Sequence, residues 1–294
     1  MESALLWNEC LHKKLVELGF TRLSDEPGVY VNGRIIVFFY VDDIALLATR
    51  QNRGELERVR AALKETFEIY DNGDMRWSLG IRILRNRRER KLWLLQDSYI
   101  TRLVNRFSCQ NLHRALVPIT HIPATNTSTV PSTAAMRHEY LEHIGPTTYP
   151  GVVTRPDISF ANSVLGSFSP NPSMEHYKVI RQLTAYLRDC KYLAIEFNGN
   201  LMCVQSEVNR IFRASSDASF ANDLQTKKST EGYLLQLFSG PVDWRARKQD
   251  TVTTSTTEAE LLALSHAAKE IIAWNGIFAE ILFRPRGACQ SRGM

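Results

Sequence analysis

Two adjacent carboxylates, Asp42 and Asp43, are the first residues in this chain whose types and spacing suggest chemistry. They follow Tyr40-Val41 and have apolar segments on both sides, which predicts a hairpin tip between buried strands. Like charges this close repel each other unless a cation neutralises them, and Mg²⁺ takes oxygen ligands while keeping water or phosphate in its other positions. Two such ions about 4 Å apart stabilise the attacking and leaving oxygens of phosphoryl transfer. The alternative interpretation is that Asp-Asp only makes a favourable turn.

A second pair of carboxylates lies in the last third of the chain. Asp217 follows Ser216 at the end of a predicted strand, and Glu260 stands where Thr257-Glu258-Ala259-Glu260 opens a predicted helix. A carboxylate at a strand end and another in a first helical turn are able to share a divalent ion. The alternative is structural, because Thr257 and Glu260 also fit a capping box at the helix start.

Basic residues surround this second pair, with Tyr233 and Trp244 interleaved. Cations contact phosphates and aromatic rings pack on sugars or bases, although a strand edge protected by lysines has the same composition. The residues predicted to bind nucleic acid are Lys227, Lys228, Arg245, Arg247 and Lys248. Another basic cluster, from Arg82 to Lys91, is interpreted as an exposed hairpin.

Composition and motifs exclude several classes of protein. His138 and His143 are five residues apart, whereas a zinc metalloprotease helix spaces its histidines by four. The longest apolar run, 35–41, is far shorter than the roughly 18 residues of a membrane span. The five cysteines are scattered and no leader-like segment follows Met1, so we expect an intracellular protein, cytoplasmic or nuclear and not secreted. A net charge of +5 permits a polyanionic partner.

Both helices and strands are predicted to position these residues. Asn32-Gly33 predicts a hairpin in which both turn residues take positive φ, and 117–150, rich in Pro, Thr and Ser, predicts an irregular connection. Helices are predicted at 55–67, 98–107, 157–168, 174–187 and 258–282, and strands at 28–31, 34–40, 77–84, 91–96, 211–214, 233–238 and 242–245. The core face of the last helix is predicted to contain Leu261, Leu264, Ala268, Ile271 and Phe278.

Taken in order, these motifs resemble a Ty1/copia-type retrotransposon Pol polyprotein, from the end of its reverse transcriptase to the start of its RNase H, over nearly the whole chain. Tyr40-Val41-Asp42-Asp43 is similar to the polymerase catalytic hairpin, and Leu79-Gly80-Ile81 to the primer grip. Other segments that resemble the family are 6–8, 96–100 with 106–107, Thr154-Arg155-Pro156-Asp157-Ile158, 216–218, 228–233, 244–252 and 257–260.

The resemblance implies that Asp42 and Asp43 are catalytic metal ligands of the polymerase. It assigns Asp217 and Glu260 the same role in RNase H, and Glu260 is favoured over Glu258. Both activities would use two Mg²⁺ ions on RNA/DNA hybrid or DNA. The family's first polymerase aspartate, its fingers and its third RNase H aspartate have no counterpart here, which implies truncation at both ends. Residues 284–289 resemble nothing in the family.

The predicted fold class is α+β, a partial reverse-transcriptase palm and thumb followed by an incomplete RNase H-like domain. The predicted domains are 1–116 (reverse transcriptase), 117–205 (connection with two helices) and 206–294 (RNase H-like). We expect a fragment of an RNA-directed DNA polymerase/ribonuclease H that is inactive alone unless missing Pol segments act in trans, because each site lacks a carboxylate. The alternatives are a retained non-catalytic nucleic-acid-binding module and an unfolded translation product. No membrane partner is expected.

Overall fold

The computed structural model describes residues 2–123, 132–200, 211–223 and 226–283. The chain divides into two compact units, the first containing 1–78 and 272–285 and the second containing 79–271 and 286–294. Both units mix helices with antiparallel sheet. None of the helices in the described ranges has the length and apolar character needed to cross a membrane.

The first unit is built on a meander of four strands in the order β1-β2-β3-β4. Its elements are α1 (Glu2–Glu17), β1 (Thr21–Arg22), β2 (Val29–Val31), β3 (Ile35–Tyr40), β4 (Asp43–Ala48), α2 (Arg53–Thr66) and β5 (Trp77–Ser78). Alternate residues of β3 point inward, as expected for a strand with one buried face. They pack with pairs of buried residues four apart on α1 and α2, namely Leu11 with Leu15 and Val59 with Leu63.

The hairpin predicted at Asn32-Gly33 is present, but its turn chemistry differs from the prediction. Only Gly33 of the two residues has a positive φ, at 78°. The Asn32 side chain instead accepts hydrogen bonds through Oδ1 from the backbone N–H groups of Arg34 and Ile35, at 3.0 and 2.8 Å. Asn32 therefore shapes this turn by side-chain bonding, and the prediction of two positive φ angles was wrong.

In the residues that the structure describes, the second unit contains two antiparallel sheets and five α-helices, and the last helix also extends into the first unit. One sheet has the order β6-β7-β8 and the other β11-β10-β9. The strands are β6 (Ile81–Asn86), β7 (Lys91–Leu95), β8 (Ile195–Asn198), β9 (Phe212–Ser219), β10 (Thr230–Leu237) and β11 (Gly240–Lys248). The helices are α3 (Asp97–Arg106), α4 (Ala134–Val153), α5 (Ser159–Gly166), α6 (Met174–Asp189) and α7 (Thr256–Glu280).

The strand predicted at 77–84 is interrupted. Leu79 and Gly80 both have positive φ, at 51° and 74°, which ends the extended conformation between β5 and β6. The Tyr149 hydroxyl donates a hydrogen bond to the Leu79 carbonyl. Leu79-Gly80-Ile81 is therefore a held bend that leads into β6, and the continuous strand was a wrong prediction.

The irregular connection predicted at 117–150 was also wrong over its second half, because α4 begins at Ala134 and includes Pro146 and Pro150. Proline inside a helix removes a backbone hydrogen bond, so composition argued against this element. Packing compensates: Tyr140 and Ile144 are buried in the core of the unit, and the Tyr140 hydroxyl donates to the Leu165 carbonyl at 2.7 Å. The described part of the connection omits 124–131.

The predicted core face of α7 was wrong at two of its five positions and is confirmed at Phe278. Leu261 and Leu264 are 60% and 55% exposed, and Ala268 and Ile271 are half-buried. The buried residues of α7 are Ala259, Ala263, Ala267 and Phe278. Both faces of the helix are apolar, and the face that is buried carries mainly small side chains.

Candidate metal and nucleic-acid sites

Asp42 and Asp43 lie at the tip of the β3–β4 hairpin, as predicted. Tyr40 and Asp43 are directly opposite each other in the ladder, so Val41 and Asp42 form a two-residue turn. Both carboxylate residues are exposed. The hairpin thus carries two adjacent acidic residues, Asp42 in the turn and Asp43 at the start of β4.

The turn is held by a contact from α1. Val41 has φ of 53°, a conformation that is strained for a β-branched residue. The Trp7 indole donates a hydrogen bond from Nε1 to the Val41 carbonyl at 2.8 Å, and its ring packs edge-on against Phe67. Trp7, packed against Phe67 at the end of α2, therefore stabilises the backbone conformation that presents the two carboxylates.

The donor chemistry of this tip suits a hard divalent cation. Mg²⁺ is commonly bound by one or two carboxylates together with water and substrate phosphates. Among the described residues, the carboxylates of Asp42 and Asp43 have no hydrogen-bond or ion-pair partner, and no group of three or more His, Cys, Asp or Glu side chains is placed to hold a metal. The role of Asp42 and Asp43 as metal ligands therefore stays a prediction.

The second predicted pair is arranged differently. Asp217 lies opposite Gly232 on β10, and Ala218 lies opposite Glu231. Side chains of directly opposed residues share a face and successive ones alternate. Glu231 contacts His266 on α7, so Asp217 lies on the sheet face opposite to the α7 contact. Glu260 is exposed on α7, and its sharing of one ion with Asp217 stays a prediction.

The start of α7 resolves the capping alternative. The Ser255 hydroxyl accepts a hydrogen bond from the Glu258 N–H at 3.1 Å, and the Glu258 carboxylate accepts from the Thr254 N–H and hydroxyl at 2.6 and 2.8 Å. These bonds hold the pKa of Glu258 below its usual value. The capping contacts are therefore made by Ser255 and Glu258, and the prediction that Thr257 and Glu260 form the capping box was wrong.

A buried polar cluster that the sequence did not reveal joins the sheet to α7. Glu231 is 5% exposed and accepts hydrogen bonds from Arg247 Nε at 2.7 Å and Gln249 Nε2 at 3.2 Å, with His266 Nδ1 at 2.8 Å. Burial opposes ionisation of Glu231, but these partners outweigh it and lower its pKa. Gln249 also donates to the Ala259 carbonyl at 2.9 Å. The strand register, which pairs Glu231 with Arg247, and the placement of α7, which brings in His266, assemble this cluster.

The five predicted nucleic-acid-binding cations differ in their contacts. Arg247 is bound to Glu231, Lys248 is paired with Asp223, and Lys228 Nζ donates to the Asp250 carbonyl at 2.6 Å. The remaining two, Lys227 and Arg245, are exposed. The interleaved aromatic residues also have partners, since Trp244 Nε1 donates to the Gly151 carbonyl at 2.7 Å and the Tyr233 hydroxyl donates to Asp243 Oδ1 at 3.2 Å.

Thr154-Arg155-Pro156-Asp157-Ile158 is a structural motif. The Arg155 guanidinium is 1% exposed and donates to both oxygens of Asp157, at 2.9 Å from Nε and 2.7 Å from Nη2. It also donates to the Cys190 carbonyl at 3.3 Å and lies over the Tyr186 ring. The Thr154 hydroxyl donates to Gln96 Oε1 at 2.7 Å. The motif therefore ties α3, α4 and α6 together.

Comparison with known proteins identifies relatives of this chain. Residues 1–121 match the family described as reverse transcriptase (RNA-dependent DNA polymerase). The chain is 30% identical over 263 residues to the retrovirus-related Pol polyprotein from transposon TNT 1-94 of Nicotiana tabacum, a match covering 86% of this chain and 19% of that protein. It is also 30% identical over 278 residues to the Pol polyprotein from transposon RE1 of Arabidopsis thaliana, covering 90% of this chain and 18% of that protein.

A shorter relative is the secreted RxLR effector protein 161 of Plasmopara viticola, which is 37% identical over 135 residues, or 45% of this chain and 89% of that protein. The chain spans 19% and 18% of the lengths of the two plant Pol polyproteins. The reverse-transcriptase match includes the whole Asp42-Asp43 hairpin. The chain therefore belongs to the family of Ty1/copia-type retrotransposon Pol polyproteins.

Proposed function

We propose that this chain carries the metal-binding hairpin of an RNA-directed DNA polymerase and the beginning of an RNase H-like domain. The observation that carries the proposal is the exposed Asp42-Asp43 pair on its fixed turn, inside the residues that match reverse transcriptase. Asp42 and Asp43 would hold Mg²⁺, which when bound stabilises charge on the reacting oxygens. The role of the chain itself is to hold these two carboxylates on a turn of fixed backbone conformation.

The RNase H-like part of the proposal rests on three antiparallel strands followed by a helix, with Asp217 on β9 and Glu260 on α7. Glu260 is available because Glu258 makes the capping contacts. Asp217 and Glu260 are assigned as RNase H carboxylates from the family motif. Two acidic residues are thus assigned to RNase H, and Asp217 lies on the sheet face opposite to the α7 contact.

We further propose that the chain alone turns over neither substrate, because two carboxylates do not complete a two-metal site. Primer extension and hybrid-strand cleavage, each assayed with Mg²⁺ and with Mn²⁺, are expected to give no product above a protein-free control. A polymerase with intact fingers and palm, assayed in parallel, verifies the substrates. Product that disappears in the Asp42→Asn or the Asp217→Asn variant would contradict the proposal for the corresponding site.

A second candidate function is non-catalytic binding of nucleic acid by the β9–β11 sheet. The observation that favours it is the exposure of Lys227 and Arg245, which have no side-chain partner among the described residues. Arg247 and Lys248 would contribute less to such binding, since carboxylates already neutralise them. Phosphate contacts from the two exposed cations would make the binding salt-dependent.

A further inference from the structure

The β6–β7 hairpin ends in a strongly basic turn. Residues 85–90 contain four arginines and one glutamate, and all of them except Asn86 are exposed. The ladder extends from Arg82 opposite Leu95 to Asn86 opposite Lys91. The register therefore places the turn at 87–90, with Arg85 one residue further back, before Asn86 on β6.

The backbone of this turn is fixed from inside the unit. Asn86 Oδ1 accepts a hydrogen bond from the Glu89 N–H at 3.1 Å. The Arg90 carbonyl accepts from the Gly199 N–H at 2.8 Å, and the Glu89 carbonyl accepts from Asn200 Nδ2 at 2.9 Å. A rigid turn loses little conformational entropy when it binds a partner. The hairpin therefore presents its cations on a preorganised backbone.

The cations of this hairpin fall into two groups. The inner ones are neutralised, because Arg82 pairs with Asp97 at 2.9 Å and Lys91 pairs with Glu196 at 3.1 Å. The side chains of the outer residues Arg85 and Arg88 have no hydrogen-bond or ion-pair partner in the described parts of the chain. One of these exposed guanidinium groups lies in the fixed turn and the other next to it on β6, and such a pair suits an extended polyanion, since guanidinium binds phosphate in two-pronged geometry.

We propose that the tip of the β6–β7 hairpin, through Arg85 and Arg88, binds the phosphodiester backbone of a nucleic acid. The choice of nucleic acid over an acidic peptide rests on the proposed function, because the hairpin lies within the residues that match reverse transcriptase. The contact is independent of the Asp42-Asp43 carboxylates and of the basic residues on β9–β11.

Fluorescence anisotropy of a labelled 20-nucleotide oligothymidylate, titrated with the full chain at several KCl concentrations, tests this proposal. Each phosphate contact to a single strand contributes about 0.7 to the slope of log affinity against log salt. Arg85→Ala with Arg88→Ala should therefore reduce the slope by about 1.4 and weaken binding at 0.1 M salt by about 25-fold. Arg85→Lys with Arg88→Lys should retain most of the slope, because the charges remain.

The matched control replaces Arg53 and Arg58 on α2 by alanine, which removes two exposed arginines elsewhere and should leave the slope unchanged. An equal loss in that control, or an unchanged slope in the hairpin variant, overturns the proposal. A slope lost only when Lys227 and Arg245 are replaced assigns binding to the β9–β11 sheet instead. Poly-glutamate that binds through the two hairpin arginines when the oligonucleotide does not would identify an acidic-peptide site. None of these outcomes depends on turnover, so they are distinct from failure of the proposed function.

Discussion

Asp157→Ala is expected to lower the free energy of unfolding of the second unit by about 3–5 kcal/mol, because it leaves a buried guanidinium without its counter-charge. Arg155 is 1% exposed, and its two strongest bonds go to the oxygens of Asp157. The Tyr186 hydroxyl, which donates to Asp157 Oδ2 at 2.7 Å, also loses its acceptor. Urea denaturation followed by circular dichroism measures the effect.

The control for this prediction is Glu142→Ala in the same unit. Glu142 pairs with Arg106 at 3.6 Å, and both side chains are about half exposed, so its loss should cost no more than about 1 kcal/mol. Equal destabilisation by the two substitutions would show that Arg155 is not dependent on Asp157. The motif would then lose its structural explanation.

Acidification is expected to destabilise the second unit through His143. Its imidazole is fully buried and stacked on Phe107 with 3.9 Å between ring centroids. The Thr184 hydroxyl donates to the Ile180 carbonyl at 3.0 Å, so it accepts from His143 Nε2 at 2.9 Å and leaves Nδ1 unprotonated. Burial lowers the pKa of His143 to about 4.

Stability falls on acidification because the unfolded chain binds a proton at His143 at a higher pH than the folded chain does. Below pH 6.5 the unfolded chain takes up a proton at His143 that the folded chain refuses until about pH 4. Stability should therefore fall through this window by about 3 kcal/mol. His143→Phe, which preserves a ring in the stack, should remove this part of the pH dependence in urea titrations at pH 7, 5.5 and 4.5. His138→Phe, at an exposed position of the same helix, should retain it, and identical profiles for wild type and His143→Phe would refute the assignment.

Local sequence patterns predicted most helices and strands, including both strands of the Asp42-Asp43 hairpin. They failed where tertiary packing outweighs local preference. Helix α4 contains two prolines, and its stability comes from buried side chains such as Tyr140 that composition does not weigh. Helix α7 buries alanines instead of leucines. The prediction failed there because the periodicity of a sequence does not rank two apolar faces of one helix.

Sequence also identified some candidate site residues and missed others. Adjacent residues such as Asp42 and Asp43 are recognisable from sequence, because a two-residue turn fixes their relation. Glu231, Arg247 and His266 come from three separate elements, and only the register of β10 with β11 and the placement of α7 bring them together. Sequence therefore assigned Arg247 to nucleic acid, whereas the structure shows it bonded to a buried carboxylate.

The central claim is that the hairpin carboxylates bind a divalent cation, and Mn²⁺ titration followed by electron paramagnetic resonance tests it most directly. Wild-type chain is expected to reduce the signal of free Mn²⁺, and Asp42→Asn with Asp43→Asn should weaken this binding by at least the roughly 10-fold that even outer-shell changes cost at metal sites. Circular dichroism and thermal melts verify that the variant stays folded. Equal Mn²⁺ binding by the wild type and the folded double variant would contradict the account.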